Sequence, residues 1–172
     1  IENCLKIFQS TGAEALKLEG AFPHVLEIIQ RLVDCGVPVM GHIGLIPQSV
    51  HALGGYHIHG KDEASKEKLL QEALLLQDAG VFSIVLECIE AELATTITSR
   101  LNIPTIGIGS GDKTDGQVLV INDLLRMGKK PPPKFCQPVA NFYELKKSAI
   151  DQYLGQLNPP SKMTDHETTI NH

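Results

Sequence analysis

Short apolar runs alternate with longer amphipathic stretches along the chain. The apolar runs occupy residues 14–20 (EALKLEG), 37–44 (VPVMGHIG), 82–88 (FSIVLEC) and 103–111 (IPTIGIGSG). Hydrophobic residues recur at helical spacing in residues 2–12, 23–36, 65–80, 90–101 and 141–157. Glycine ends the first three of these stretches and is a typical helix stop signal. The pattern therefore predicts alternating strands and helices, with a weaker strand at residues 117–125 (QVLVINDLL).

This alternation is typical of a parallel sheet with helices outside it. Polar residues lie where the predicted strands end: Lys17, Glu19, His42, Glu87 and the GIGSG loop (residues 107–111). We therefore expect them together at the carboxyl edge of the sheet, where α/β proteins build their sites. Periodicity alone leaves two folds open, a doubly wound sheet and a (β/α)8 barrel. A whole barrel needs about 250 residues, so this chain would supply only about five of its eight units.

Composition narrows the class of protein. The 172 residues suffice for one domain with a hydrophobic core, and the net charge of -5 gives no reason to expect nucleic acid as a partner. The sequence shows neither a membrane-spanning run nor a signal peptide. Four scattered cysteines predict reduced thiols in a cytoplasmic compartment, with Cys88 in the core. The first residue is Ile1, inside a predicted helix, which suggests a fragment, and the polar residues 158–172 are expected to be a disordered tail.

Glu87 is the most informative single residue, because it ends an apolar run that otherwise reads as a buried strand. A carboxylate at a strand end commonly faces water or pairs with a lysine. In an apolar setting it is costly unless it is paired, bound to a metal or used for proton transfer. The residues alone leave the surface carboxylate and the proton acceptor equally open.

Lys17 and Glu19 are two positions apart, so they lie on the same side of a strand. They could form a structural ion pair, or the lysine could bind an anionic substrate and the glutamate Mg²⁺. His42 is a lone histidine, a type that is more often structural than catalytic.

Two further motifs carry weaker signals. His57 and His59 could form half a zinc site, but no matching ligand spacing supports this, and a solvent-exposed loop is the favoured interpretation. The sequence GIGSGDKTDG lacks the spacing of a dinucleotide loop. Its glycines are better interpreted as letting the backbone approach a substrate or cofactor.

Several segments together resemble the ketopantoate hydroxymethyltransferase (3-methyl-2-oxobutanoate hydroxymethyltransferase) family. They are LKLEG, VPVMGHIGLIPQSV, LGGY, ALLLQDAGVFSIVLEC, IPTIGIGSGDKTDGQVLVINDLL and PKF, in the order of the family, between about Gly12 and about Tyr153. So many matches in one order are far more specific than any single motif.

The resemblance implies a fold and an activity. The fold would be a (β/α)8 TIM barrel of the phosphoenolpyruvate mutase type, here partial, with residues 1–157 as a catalytic domain of about the last five units. The activity would be transfer of a hydroxymethyl group from 5,10-methylenetetrahydrofolate to 3-methyl-2-oxobutanoate, giving 2-dehydropantoate in pantothenate biosynthesis. Mg²⁺ would bind the oxo acid, and the enzyme would be a cytoplasmic homo-oligomer without nucleic-acid or membrane partners.

The resemblance also implies roles for four residues. Glu87 would be the proton acceptor, Lys17 and His42 would bind the oxo acid, and Glu19 would be a Mg²⁺ ligand. Two aspartates that complete the metal site in the family belong to a region that precedes the residues matched here. A non-catalytic remnant or an assembly partner therefore stays open as an alternative, as does, more weakly, another Mg²⁺-dependent enzyme acting on an oxo acid. Differences from the family pattern include Ser110 for alanine and Glu90 for proline.

Overall fold

The computed structural model describes residues 1–46 and 57–157. It divides into two compact units, residues 1–119 and 120–172. Two parts of the sequence match, PQSV (residues 47–50) and LGGY (residues 53–56), lie outside the described residues. The predicted disordered tail at 158–172 also lies outside them.

The first unit is an alternating α/β structure. Its elements are α1 (Glu2–Thr11), β1 (Leu16–Lys17), α2 (Pro23–Asp34), β2 (Val39–Gly44), α3 (Glu63–Asp78), β3 (Ser83–Glu87), α4 (Ala91–Arg100), β4 (Thr105–Ile108) and β5 (Gly116–Gln117). All described strand pairs are parallel, and the strands lie side by side in chain order. The predicted parallel α/β sheet is therefore confirmed.

One face of the sheet packs against helices and holds the core. Val39, Ile43, Ile84 and Leu86 point to this side, which we call the core face, and all four are almost completely buried. They pack with buried residues of three helices: Ile29 and Leu32 of α2, Leu69, Ala73 and Leu76 of α3, and Leu93, Ala94 and Ile97 of α4.

The opposite face carries the polar residues. Register pairs Lys17 with Met40, His42 with Val85 and Glu87 with Ile108. Because side chains alternate along a strand, these residues lie opposite the core face. We call this side, with Lys17, Glu19, His42 and Glu87, the site face.

The weak strand expected at residues 117–125 is largely wrong. The strand β5 covers only Gly116–Gln117, and Ile121–Leu124 form a short helix, α5, in the second unit. Val118 and Val120 are exposed, so this apolar run has no buried face to hold it in the sheet. The second unit also contains α6 (Phe142–Leu157), as predicted.

The start of α3 is fixed by a capping box. Asp62 Oδ1 accepts a hydrogen bond from the Ser65 backbone N–H at 2.9 Å, and Ser65 Oγ accepts one from the Asp62 N–H at 3.3 Å. These bonds satisfy N–H groups that a helix terminus leaves without partners. The Ser65 hydroxyl also donates to Asp62 Oδ2 at 2.7 Å, and this bond, together with the one from the Ser65 N–H, holds the pKa of the Asp62 carboxyl below its ordinary value.

Removing this cap will destabilise the chain in a pH-dependent way. Because the folded pKa of Asp62 is lowered, its stabilising effect is present above the ordinary value of 3.8 and is lost as the pH falls through the folded pKa. We expect Asp62→Ala to lower the thermal midpoint by about 2–4 °C at neutral pH. The gap should narrow in strong acid, where protonation removes the charge, and Asp62→Asn, which keeps only an uncharged acceptor, should lie between the two chains at neutral pH. An equal gap at all pH values would contradict this.

Candidate active site

The ends of β1 and β2 bring Glu19 beside His42. Backbone N–H groups of Leu16, Leu18 and Gly20 donate to the carbonyls of Pro38, Met40 and His42 at 2.9, 3.0 and 2.8 Å. The ladder thus continues past the formal end of β1, and the alternation of side chains keeps Lys17 and Glu19 on the site face. Lys17 Nζ lies 3.9 Å from Glu19 Oε1, so the two form a loose, partly exposed ion pair.

His42 lies between two carboxylates. Its side chain is fully buried, with Nδ1 3.7 Å from Glu19 Oε1 and Nε2 3.2 Å from Glu87 Oε2. The first contact is too long for a hydrogen bond and the second lacks the geometry of one, so both ring nitrogens are buried without a hydrogen-bond partner among the described residues. Lys17, Glu19, His42 and Glu87, which sequence reasoning placed at one edge, are thus brought together in a continuous row.

Glu87 ends β3 in a largely apolar setting. Its side chain is 15% exposed. Leu86 before it and Cys88 after it are buried, and its register partner on β4 is Ile108. Within the described residues its charged contact is with the His42 ring rather than with a lysine. The Glu87 carboxylate therefore lies among apolar neighbours, with one buried imidazole ring beside it.

A sharp turn at Cys88 ends the strand directly after Glu87. Cys88 has a φ of 52°, in the left-handed region that non-glycine residues rarely adopt. The turn is held by hydrogen bonds from Cys88 N to Ile108 O at 2.9 Å and from His59 N to Cys88 O at 2.8 Å. Strained backbone of this kind is often found at functional sites. The sequence contained no signal for it.

Burial makes the Cys88 thiol unreactive. Loss of solvation, with a smaller contribution from the charge of Glu87, raises the pKa of Cys88 to about 11. All four cysteines are free thiols, and Cys35 is exposed. Because the thiolate is the reacting form, we expect an aromatic disulfide reagent to label Cys35 rapidly and Cys88 only after denaturation. Peptide mass spectrometry at successive times would measure this, and labelling of both at one rate would contradict it.

Ser110 fixes the loops on either side of Glu87. Its buried hydroxyl donates to the carbonyl of Leu86 at 2.7 Å and accepts from the N–H of Ile89 at 3.0 Å. Sequence reasoning recorded Ser110 only as a difference from the family pattern. Glu90, the other such difference, is the N-cap of α4 and accepts from the Leu93 N–H at 2.9 Å. Glu90 therefore caps its own helix, whereas Ser110 connects the end of β4 to the backbone around Glu87.

The predicted solvent-exposed loop is observed at His57 but not at His59. His57 is exposed, but His59 forms an isolated parallel bridge with Ile89, and its Nε2 is buried. Burial, and secondarily the nearby His57, lowers the pKa of His59. The correction follows from long-range strand pairing, which local spacing does not show.

No complete metal centre forms within residues 1–46 and 57–157. No group of three His, Cys, Asp or Glu residues there could hold a metal ion. The site face carries two carboxylates, Glu19 and Glu87, which are too few to hold Mg²⁺, so these residues do not by themselves fit the ion. In the same part of the chain, every helix is too short or too polar to cross a membrane.

Comparison with known proteins points to one enzyme family. A profile of the ketopantoate hydroxymethyltransferase family matches residues 1–159. A 3-methyl-2-oxobutanoate hydroxymethyltransferase from Bdellovibrio bacteriovorus is 53% identical over 142 residues, which are 83% of this chain and 54% of the relative. One from Carboxydothermus hydrogenoformans is 51% identical over 90% of this chain and 56% of its own length. A third, from Synechocystis, is 49% identical over 88% and 58%.

The chain therefore spans about half the length of the curated relatives it matches. The family profile nevertheless covers all of the described residues, including Lys17, Glu19, His42 and Glu87. On this evidence the chain belongs to the ketopantoate hydroxymethyltransferase family.

Proposed function

We propose that this chain is part of an enzyme that transfers a hydroxymethyl group from 5,10-methylenetetrahydrofolate to 3-methyl-2-oxobutanoate. The observation that carries the proposal is the placement of Glu87, 15% exposed, at the carboxyl end of β3 with its oxygen 3.2 Å from the buried His42 ring. The three relatives described above bear the name of this activity.

In the proposed reaction Glu87 is the general base. The C3–H of the oxo acid is acidic because the electron pair left behind is delocalised into the adjacent carbonyl as an enolate. Glu87 takes this proton, and the enolate carbon then bonds to the one-carbon unit as the C–N bonds that hold this unit to the folate break. Water supplies the hydroxyl group of the product, and tetrahydrofolate leaves. Lys17, which is partly exposed beside Glu19, would hold the substrate carboxylate as a point charge.

Among the described residues, Glu19 is the one that we propose as a Mg²⁺ ligand. The described residues do not complete a site, so we propose that further ligands, the two aspartates implied by the family resemblance, come from outside them. When bound, Mg²⁺ would stabilise negative charge on the oxo-acid oxygens.

We also propose that the sheet is part of a (β/α)8 barrel. Parallel sheets are normally covered on both faces, whereas the site face here carries the charged residues Lys17, Glu19 and Glu87. Both β1 and β5 lie at edges of the sheet and pair with one neighbour each. Closure with additional strands would remove these edges and place the site face in the barrel interior, where residues 1–157 would form one catalytic domain.

Exposed apolar residues on α6 favour association of this chain with another copy of itself or with a different chain. Phe142, Leu145, Ile150, Tyr153 and Leu157 are all exposed on this helix. A surface of this kind commonly marks an interface, which fits either a homo-oligomeric enzyme or a non-catalytic assembly partner. Sedimentation shows whether the purified chain associates with itself, and the exchange assay described below shows whether it is catalytic. The two measurements together distinguish the homo-oligomeric enzyme from the assembly partner.

The proposal is tested by proton exchange. We expect the longest protein encoded by the reading frame to exchange the C3 proton of 3-methyl-2-oxobutanoate in D₂O, without folate and with added Mg²⁺, as followed by proton NMR. An oxo acid with no C3 hydrogen, 3,3-dimethyl-2-oxobutanoate, serves as the matched control that binds without exchange. Absence of exchange in a folded protein with Mg²⁺ would reject the enzymatic assignment in favour of the assembly role.

A further inference from the structure

We infer that His42 is a positioning residue for the Glu87 carboxylate and does not bind the oxo acid directly. This inference rests on the proposed function, in which Glu87 is the base. The first observation is burial: the His42 side chain has no exposed surface. Each of its ring nitrogens lies within 4 Å of a carboxylate oxygen, Nδ1 of Glu19 at 3.7 Å and Nε2 of Glu87 at 3.2 Å. A substrate would have to displace these groups to touch the ring.

The ring is held on a rigid element. His42 belongs to β2, which pairs with β1 on one side and with β3 on the other. The carbonyl of His42 accepts from the Gly20 N–H at 2.8 Å, and its register partner on β3 is Val85. A side chain on a central strand is fixed more precisely than one on a loop, which is what a group that orients a catalytic base requires.

The distances from the two ring nitrogens to the carboxylates indicate which nitrogen carries the hydrogen and donates it. A neutral imidazole carries one N–H, and Nε2, at 3.2 Å from Glu87 Oε2, is nearer to an acceptor than Nδ1, at 3.7 Å from Glu19 Oε1. The proton therefore belongs on Nε2, where it can donate to Glu87. The alignment is poor in this structure, and catalytic hydrogen bonds commonly tighten only when substrate is bound. Holding Oε2 in this way leaves Oε1 of Glu87 to take the C3 proton.

The matched variants are His42→Gln and His42→Asn. Both carry the same amide, but glutamine can place its N–H₂ near the position of Nε2, whereas the shorter asparagine places it near Nδ1. We expect His42→Asn to lower kcat for proton exchange by about 10- to 100-fold with KM for the oxo acid unchanged, as for loss of other orienting partners. His42→Gln should recover most of kcat.

The alternatives give different results. A rise in KM with unchanged kcat in His42→Asn would show direct substrate binding, and equal losses in both variants would show a merely structural role; either result overturns the inference. In a Glu87→Gln background, His42→Asn should add no further loss, because the two residues act as a unit. A full additional loss would also overturn it.

A second readout does not depend on turnover. With ¹³C-labelled glutamate at one neutral pH, the Glu87 Cδ resonance should shift in His42→Asn and stay close to its original position in His42→Gln. If the unmodified protein shows no exchange, the proposed function fails, and this spectrum still decides whether His42 contacts Glu87. If exchange occurs and depends on Glu87, but neither kcat nor the resonance responds to His42→Asn, only the positioning inference fails.

Discussion

Replacing Glu87 with glutamine is expected to lower C3-proton exchange by about 10²- to 10⁴-fold, the range that a positioned general base contributes. Glutamine has nearly the same shape and can still accept a hydrogen bond from His42, but its amide cannot take up a proton at neutral pH. The folded structure should therefore persist while proton transfer is lost. Exchange in D₂O followed by proton NMR measures the effect directly, because it does not require the folate-dependent step.

The matched control is Glu27→Gln. Glu27 lies on α2, is about 60% exposed and pairs with Arg31 one turn away, so it has the same chemistry in a solvated setting. We expect exchange in this variant to equal that of the unmodified protein, since exposed pairs of this kind contribute little. Exchange retained in Glu87→Gln would show that another group is the base.

The sequence was sufficient to predict which residues meet at the site. Strand ends in a parallel sheet share one edge, so local apolar runs placed Lys17, Glu19, His42 and Glu87 together without knowledge of their contacts. The spacing of Lys17 and Glu19 also gave their common side correctly. These features depend on chain direction and side-chain alternation, which are local properties.

Features that depend on contacts between distant parts of the chain were not predictable in this way. The bridge that buries His59 pairs it with Ile89, and the hydroxyl of Ser110 bonds to Leu86, 24 positions away. The left-handed turn at Cys88 is likewise imposed by its partners on β4 and at His59. An apolar run such as residues 118–120 shows the converse, because its composition favours a strand that the packing does not provide.

Substituting alanine for Gly44 is expected to destabilise the chain by roughly 2–5 kcal/mol, which combines left-handed backbone strain with overpacking. Gly44 has a φ of 96°, and a Cβ there would collide with the carbonyl oxygen of Glu87 and lie 2.9 Å from Ile89 Cγ1. The same carbonyl accepts a hydrogen bond from Leu45 N at 2.8 Å, so the strands cannot separate without losing it. Urea denaturation followed by circular dichroism measures the change.

Gly36→Ala isolates the contribution of backbone strain. Gly36 has a similar φ of 81°, but a Cβ there meets no atom within 4 Å. We therefore expect a loss of only about 1–2 kcal/mol, from backbone strain alone. The difference between the two variants reports how tightly the end of β2 is packed against the backbone of Glu87. If both variants lose the same stability, the close packing of Gly44 on the Glu87 backbone does not contribute to stability.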